Sequence, residues 1–188
     1  MNPPVKLVIL DRDGVINYDS DHFIKSPAEW KPIPGSIEAI ARLNQNGYRV
    51  VVATNQSGIG RGLFDMATLN AINDKMMELV FRTGGRIDAI FFCPCTAEQS
   101  CHCRKPDTGM FEDIAARYQV GLGGVPSIGD SHRDLEAGAK AGCTPVLVLT
   151  GKGKKTRDTG DLPPGTRVFA DLAAAADALI AESPRAAS

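Results

Sequence analysis

Aromatic side chains are scarce in this sequence, at 6% of residues with a single tryptophan, and the formal net charge is only −1. A nucleic-acid binder needs stacking platforms and a basic field, so neither requirement is met. No apolar run reaches the roughly 18–20 residues of a membrane span. The N-terminal VKLVIL is short, contains Lys6 and runs straight into Asp11, so no signal peptide is expected. Internal repeats and interdomain linkers are also missing. Low complexity is confined to AAAADALIAESPRAAS, read as a helix and a flexible tail over 183–188. The expectation is one domain over 1–182, monomeric, cytoplasmic, with no membrane or nucleic-acid partner.

What is present is an alternation of two hydrophobic periods. Val5–Leu10, YRVVVATN, RIDAIFFC, VPSIGD and TPVLVLTG read as strands, and TRVFADL as an edge strand. Between them lie helical patterns. PGSIEAIARLNQNG has Ser36 as the expected N-cap and Gly47 as the stop, and DMATLNAINDKMMELVFRTGG places Met66, Leu69, Ile72, Met76 and Leu79 on one face. MFEDIAARYQV and DLEAGAKAG complete the set. Strands alternating with helices predict a doubly wound, mostly parallel α/β sheet. Such sheets bind ligands beyond the carboxyl ends of their strands.

The polar residues that break the pattern fall at those ends. In VILDRDGVIN, Asp11 and Asp13 follow a buried strand and are expected to project the same way, about 6.5 Å apart. Arg12, between them, is expected to point away and to be structural. Asp130 ends another strand in GDSHRD, with Asp134 four residues on. Singly, each Asp is most simply a turn or helix cap. Together they repel unless a cation joins them, and all-oxygen ligation suits Mg²⁺. ATNQSGIGRG offers Thr54, Asn55 and closely turning glycines that could cradle phosphoryl oxygens, although such turns are commonly structural. Lys105, in CRKPD, is by itself as consistent with a solvated lysine. The basic TGKGKKTR reads as a solvated loop or a rim for phosphate.

DRDGVIN, TN, Lys105 and GDSHRD, in that order, resemble the four motifs of the haloacid dehalogenase (HAD) phosphohydrolase superfamily over nearly the whole chain. The resemblance implies that Asp11 is the nucleophile and Asp13 the acid and base. It implies Mg²⁺ on Asp11, the backbone carbonyl of Asp13, and Asp130, with Thr54 and Lys105 steadying the transferring oxygens. Asp134 and Arg61 would support them. By the same resemblance Asp19, Ser20, Asp21 and His22 line the substrate pocket with Asn55, Gln56 and Ser57. The largest segment between motifs, Val15 to Pro34, is too short for the separate cap domain of many members.

Four of the five cysteines fall in FFCPCTAEQSCHCRKP. Cys93, Cys95, Cys101 and Cys103 can close a tetrahedral, structural Zn²⁺ site, with a reduced or redox-active cluster as the alternative. Zinc would staple the loop that carries Arg104 and Lys105, leaving Arg104 to hold a second anionic group. Cys143 reads as a core residue. Within the superfamily, these features resemble zinc-loop phosphatases of phosphorylated sugars. Members acting on heptose 1,7-bisphosphate typically carry Cys-x-His and a longer insert. Here Cys95 stands in place of that His. The expected substrate is heptose 1,7-bisphosphate at C7, with histidinol phosphate as the alternative; the anomer stays open. A phosphomutase is disfavoured by the absent cap.

Overall fold

The structure, a computed structural model, describes residues 6–183. Val5 of the first predicted strand and positions 184–188 of the predicted tail lie outside the described residues. The strands are β1 (Lys6–Leu10), β2 (Tyr48–Asn55), β3 (Ala89–Cys93), β4 (Pro126–Gly129), β5 (Thr144–Val148) and β6 (Arg167–Phe169). They form one sheet in the order β3-β2-β1-β4-β5-β6, parallel at every pairing. The helices are α1 (Ser36–Gln45), α2 (Ser57–Gly60), α3 (Met66–Arg82), α4 (Gly109–Tyr118), α5 (His132–Lys140), α6 (Gly153–Thr159) and α7 (Leu172–Glu182).

The unbroken apolar strands are explained by a core on each face. Val8 and Leu10 of β1 join Val50 and Val52 of β2 against α1, α3 and α7. Leu7, Ile9, Val51 and Ala53 face the other way, onto Met110, Phe111 and Ile114 of α4 and Ala137 of α5. The central strands β1 and β2 therefore bury both sets of alternating side chains, as a sheet covered on both faces requires.

Two helix details differ from expectation. Ser36 is the first residue of α1 rather than its cap: Gly35, at φ 83°, takes the cap position, and Ser36 Oγ donates to the Ile16 carbonyl at 2.6 Å. A positive φ suits a residue without Cβ, and the freed hydroxyl ties α1 to the first loop instead. Met66 is exposed, and α3 instead buries Leu69, Ile72, Asn73, Met76 and Val80.

The chain runs outward from β1 through β2 to β3, then crosses back to β4 and runs outward through β5 to β6. The order therefore reverses between β1 and β4, which are held together by pairing and by the Asp11 N–H donating to the Ile128 carbonyl at 2.9 Å. That crevice is where a doubly wound sheet presents a ligand site.

Candidate active site and cysteine cluster

A cleft of about 260 Å³ opens at this point. Asp11 and Asp13 line it from the end of β1, Thr54 to Ser57 from the end of β2, and Asp130 and Asp134 from β4 and α5. Asp19, Ser20, Asp21, Arg61, Arg104 and Lys105 complete most of the rim. Carboxylate oxygens of Asp11, Asp130 and Asp134 lie within 4.8 Å of one another. A larger hollow of about 940 Å³ at the other end of the sheet borders Lys6 and Ser183 and gathers no such group among the described residues.

Lys105 is the internal counter-charge. Its side chain, 2% exposed, places Nζ 3.1 Å from Asp11 Oδ1, 2.7 Å from Asp134 Oδ1 and 2.8 Å from the Ala53 carbonyl. One cation faces three carboxylates, and the imbalance shows in their ionisation. Burial pushes Asp11 up to about 7 despite Lys105, with Asp134 and Asp13 adding to the rise. Burial, then the charges of Asp134 and Asp11, push Asp130 up to about 8. Asp134 moves the other way: burial would raise it, but Lys105 and Ser131 together hold it below the ordinary carboxylate range. Its Oδ2 accepts the Ser131 N–H at 3.0 Å and the Ser131 hydroxyl, closing a capping box at the start of α5. Lys105 is raised: burial opposes its charge, and Asp11 and Asp134 outweigh burial. A pocket with surplus buried carboxylate of this kind fits a hard divalent cation.

Asp130 is gripped by backbone. Lys152 N–H donates to its Oδ2 at 2.8 Å, and the Thr156 hydroxyl donates to its carbonyl at 2.8 Å. Gly14, at φ 84°, and Gly151, at φ 53°, press against the carboxylate so closely that a Cβ on either would collide with it. The basic stretch read as a loop is thus the turn into α6 and the first residues of that helix. Its Lys152 pairs with Asp19 at 3.2 Å and Asp21 at 3.9 Å. Lysine spacing carried no signal of this; the pairing depends on where β5 ends.

Several expected site residues are used differently. Arg12 does not point away. It is fully buried and turns its guanidinium onto Asp13, with Nε and Nη2 each 3.1 Å from a carboxylate oxygen. The reason is that extended alternation stops at Leu10: residues 12–17 form a turn with the Ile16 N–H bonded to the Arg12 carbonyl at 2.8 Å. Asn17, missed in the sequence, donates to Asp13 Oδ1 at 2.8 Å. Asn55 makes reciprocal 3.1 Å bonds with the Lys105 backbone, which occupies its amide. His22 does not line the cleft; it is exposed beside the neighbouring hollow that includes Tyr18 and Lys31, because Phe23, at φ 64°, turns the chain there. Phe23, Ile24 and Arg133 line the cleft instead, without having been singled out.

The cysteine loop also converges. Sulfurs of Cys93, Cys95 and Cys103 lie within 4.8 Å of one another, a separation that fits the roughly 3.8 Å between sulfurs bound at about 2.3 Å to one tetrahedral zinc. Cys101, expected as the fourth free thiolate, is instead joined to Cys95 in a disulfide, leaving Cys93 and Cys103 as thiols. Sulfurs gathered this tightly can satisfy themselves through a shared metal or by bonding each other. Burial, with the Cys103 hydrogen bond, pushes the Cys93 thiol up to about 11. Arg104 follows directly, its Nη1 donating to the Cys95 carbonyl at 3.0 Å. Cys143 is buried in the core as read, its thiol pushed up to about 12 by burial.

Comparison with known proteins accords with this geometry. Residues 6–132 match the family model described as polynucleotide kinase 3 phosphatase, and residues 102–175 one described as HAD-hydrolase-like. A D-glycero-beta-D-manno-heptose-1,7-bisphosphate 7-phosphatase from Bordetella bronchiseptica is 60% identical over 179 residues, covering 95% of this chain and 100% of that one. The crystal structure of D,D-heptose 1,7-bisphosphate phosphatase from B. bronchiseptica, complexed with magnesium and phosphate, superposes with a TM-score of 0.94 at 61% identity, over 95% of this chain and 99% of that one. The corresponding phosphatase structure from Burkholderia thailandensis gives a TM-score of 0.76 at 55% identity, over 94% and 99%. With a relative so alike from end to end, the chain belongs to the D-glycero-beta-D-manno-heptose-1,7-bisphosphate 7-phosphatases, within the HAD-like phosphatases.

Proposed function

We propose that this chain hydrolyses the C7 phosphate of D-glycero-beta-D-manno-heptose 1,7-bisphosphate in the building of nucleotide-activated heptose for surface glycans, as a cytoplasmic monomer. The observation that carries the chemistry is the meeting of Asp11, Asp130 and Asp134 around Lys105 at the reversal of strand order. Kinship with enzymes named for this substrate carries the sugar and its beta anomer. Among the described residues no helix is long and apolar enough to cross a membrane.

In the proposed reaction an Asp11 oxygen attacks phosphorus. The new P–O bond forms as the ester P–O bond breaks, and the departing sugar oxygen takes a proton from Asp13. Water then attacks the aspartyl-phosphate, giving its proton to Asp13, and phosphate leaves as Asp11 is regenerated. Mg²⁺ held by Asp11, the Asp13 carbonyl and Asp130 would offset the charge of nucleophile and phosphate. Lys105 and Thr54 steady the phosphoryl oxygens, and Arg104 holds the second phosphate. In the reduced protein Cys93, Cys95, Cys101 and Cys103 would hold zinc, which would fix the loop that presents Arg104 and Lys105. The Asp19–Asp21 loop takes sugar hydroxyls.

Phosphate release should be compared side by side on both heptose bisphosphate anomers, histidinol phosphate and a 3′-phosphorylated oligonucleotide. The beta bisphosphate is expected to lead in kcat/KM. Preference for histidinol phosphate or the oligonucleotide would reject the sugar assignment.

A further inference from the structure

The Asp13 carboxylate is the most heavily engaged group in the cleft. Arg12 reaches both of its oxygens, and Asn17 adds a bond to Oδ1. These arms come from the turn that carries Asp13 itself. The fourth donor does not: Gln56 Nε2 reaches Asp13 Oδ2 at 2.9 Å from the end of β2. Gln56 is 4% exposed, and its own backbone N–H is tied to the Cys93 carbonyl at 2.7 Å. An amide nitrogen carries two protons. Here one serves Asp13 and the other Thr54 Oγ1, at 3.0 Å. That donor has nothing left for a substrate.

We propose that Gln56 is a positioning residue that aims Asp13 at the departing sugar oxygen, its amide protons serving Asp13 and Thr54 rather than substrate. The inference rests on Asp13 being the proton donor of the reaction above. Arg12 spans both oxygens and Asn17 adds a bond to Oδ1, but these bonds all come from the turn that carries Asp13 and move with it. Gln56 ties Oδ2 to Thr54, the residue that the proposed reaction sets beside the phosphoryl group. Proton transfer needs heavy atoms within about 2.6–3.2 Å, and a well-placed acid contributes about 10²–10⁴-fold. A carboxylate released from one of its two anchors loses part of that factor without losing the substrate.

The leaving group separates aiming from general damage. A sugar oxygen needs a proton to depart, whereas p-nitrophenolate departs without one. Gln56→Met keeps the length and removes the donor. On heptose bisphosphate its kcat is expected to fall about 10²-fold, with KM within about twofold of wild type. On p-nitrophenyl phosphate the rate is expected to stay within about threefold. In an Asp13→Asn background Gln56→Met should add no further loss, as coupled residues require. If Gln56→Met does not fold, Gln56→Glu carries the same test, since it turns the donor into an acceptor at equal length. A rise in KM with kcat preserved would make Gln56 a substrate ligand and overturn the proposal, as would equal losses on both substrates. Wild-type protein that hydrolyses neither substrate would remove the phosphatase reading itself, an outcome visible before any variant is made.

Discussion

Lys105→Met isolates the charge balance on which the cleft depends. The substitution removes a buried cation and leaves Asp11 and Asp134 facing each other without a counter-charge, since Lys105 lies 3.1 Å and 2.7 Å from them. Breaking a buried pair from one side costs about 3–5 kcal/mol. For a chain of this size each kcal/mol moves Tm by about 2–4 °C, so the loss in metal-free protein at pH 8 is expected to be about 6–20 °C. The cost should shrink at pH 5.5, and the sign follows from linkage. Burial already raises Asp11 to about 7 with Lys105 present. Without the lysine both carboxylates bind protons more tightly in the folded state, so the variant's stability falls more steeply than wild type as pH rises. Thermal melts of both proteins in chelator, at pH 5.5 and pH 8, make the comparison. A loss below about 1 kcal/mol at pH 8, or an equal loss at both pH values, would refute the assignment of Lys105 as the charge that makes the aspartates tolerable.

Asp11→Asn is expected to abolish phosphate release while raising the metal-free Tm at pH 8, because one buried charge is removed; retained turnover would reject Asp11 as nucleophile. Mg²⁺ affinity should rise between pH 6 and pH 8, since Asp11 at about 7 and Asp130 at about 8 must shed protons to bind it. Calorimetry in two buffers of different ionisation enthalpy would reveal that proton release, and buffer-independent heats would contradict it. Gly14→Ala combines a left-handed backbone, worth about 1–2 kcal/mol, with a methyl directed into the Asp130 carboxylate. It should weaken Mg²⁺ binding at least about tenfold, measured by the same titration; unchanged affinity would show that Asp130 has room to move.

The sequence by itself determined the parallel α/β sheet, because strands such as YRVVVATN bury both faces and need no alternation. It also placed Asp11, Asp13 and Asp130 together, because polar residues at strand ends meet at one edge of such a sheet, whereas Lys105 joined them only through the resemblance to the HAD motifs. Tertiary structure decided what each neighbouring side chain is free to do. Arg12 left the expected direction because the strand ends one residue before Asp11, so period-two reasoning no longer applied. Asn55 and Gln56 looked available for substrate, yet Asn55 is tied to the Lys105 backbone and both Gln56 amide protons go to Asp13 and Thr54, partners 43 to 50 residues away or across a strand end. Lys152 became part of the cleft only through the place where β5 delivers it. The cysteine spacing announced a cluster, but whether Cys95 and Cys101 share a metal or a bond is a matter of distances between sulfurs, which spacing along a chain does not contain. Hydrophobic period is local and can be read residue by residue; a hydrogen-bond donor is spent only once, and where it is spent is settled by folding.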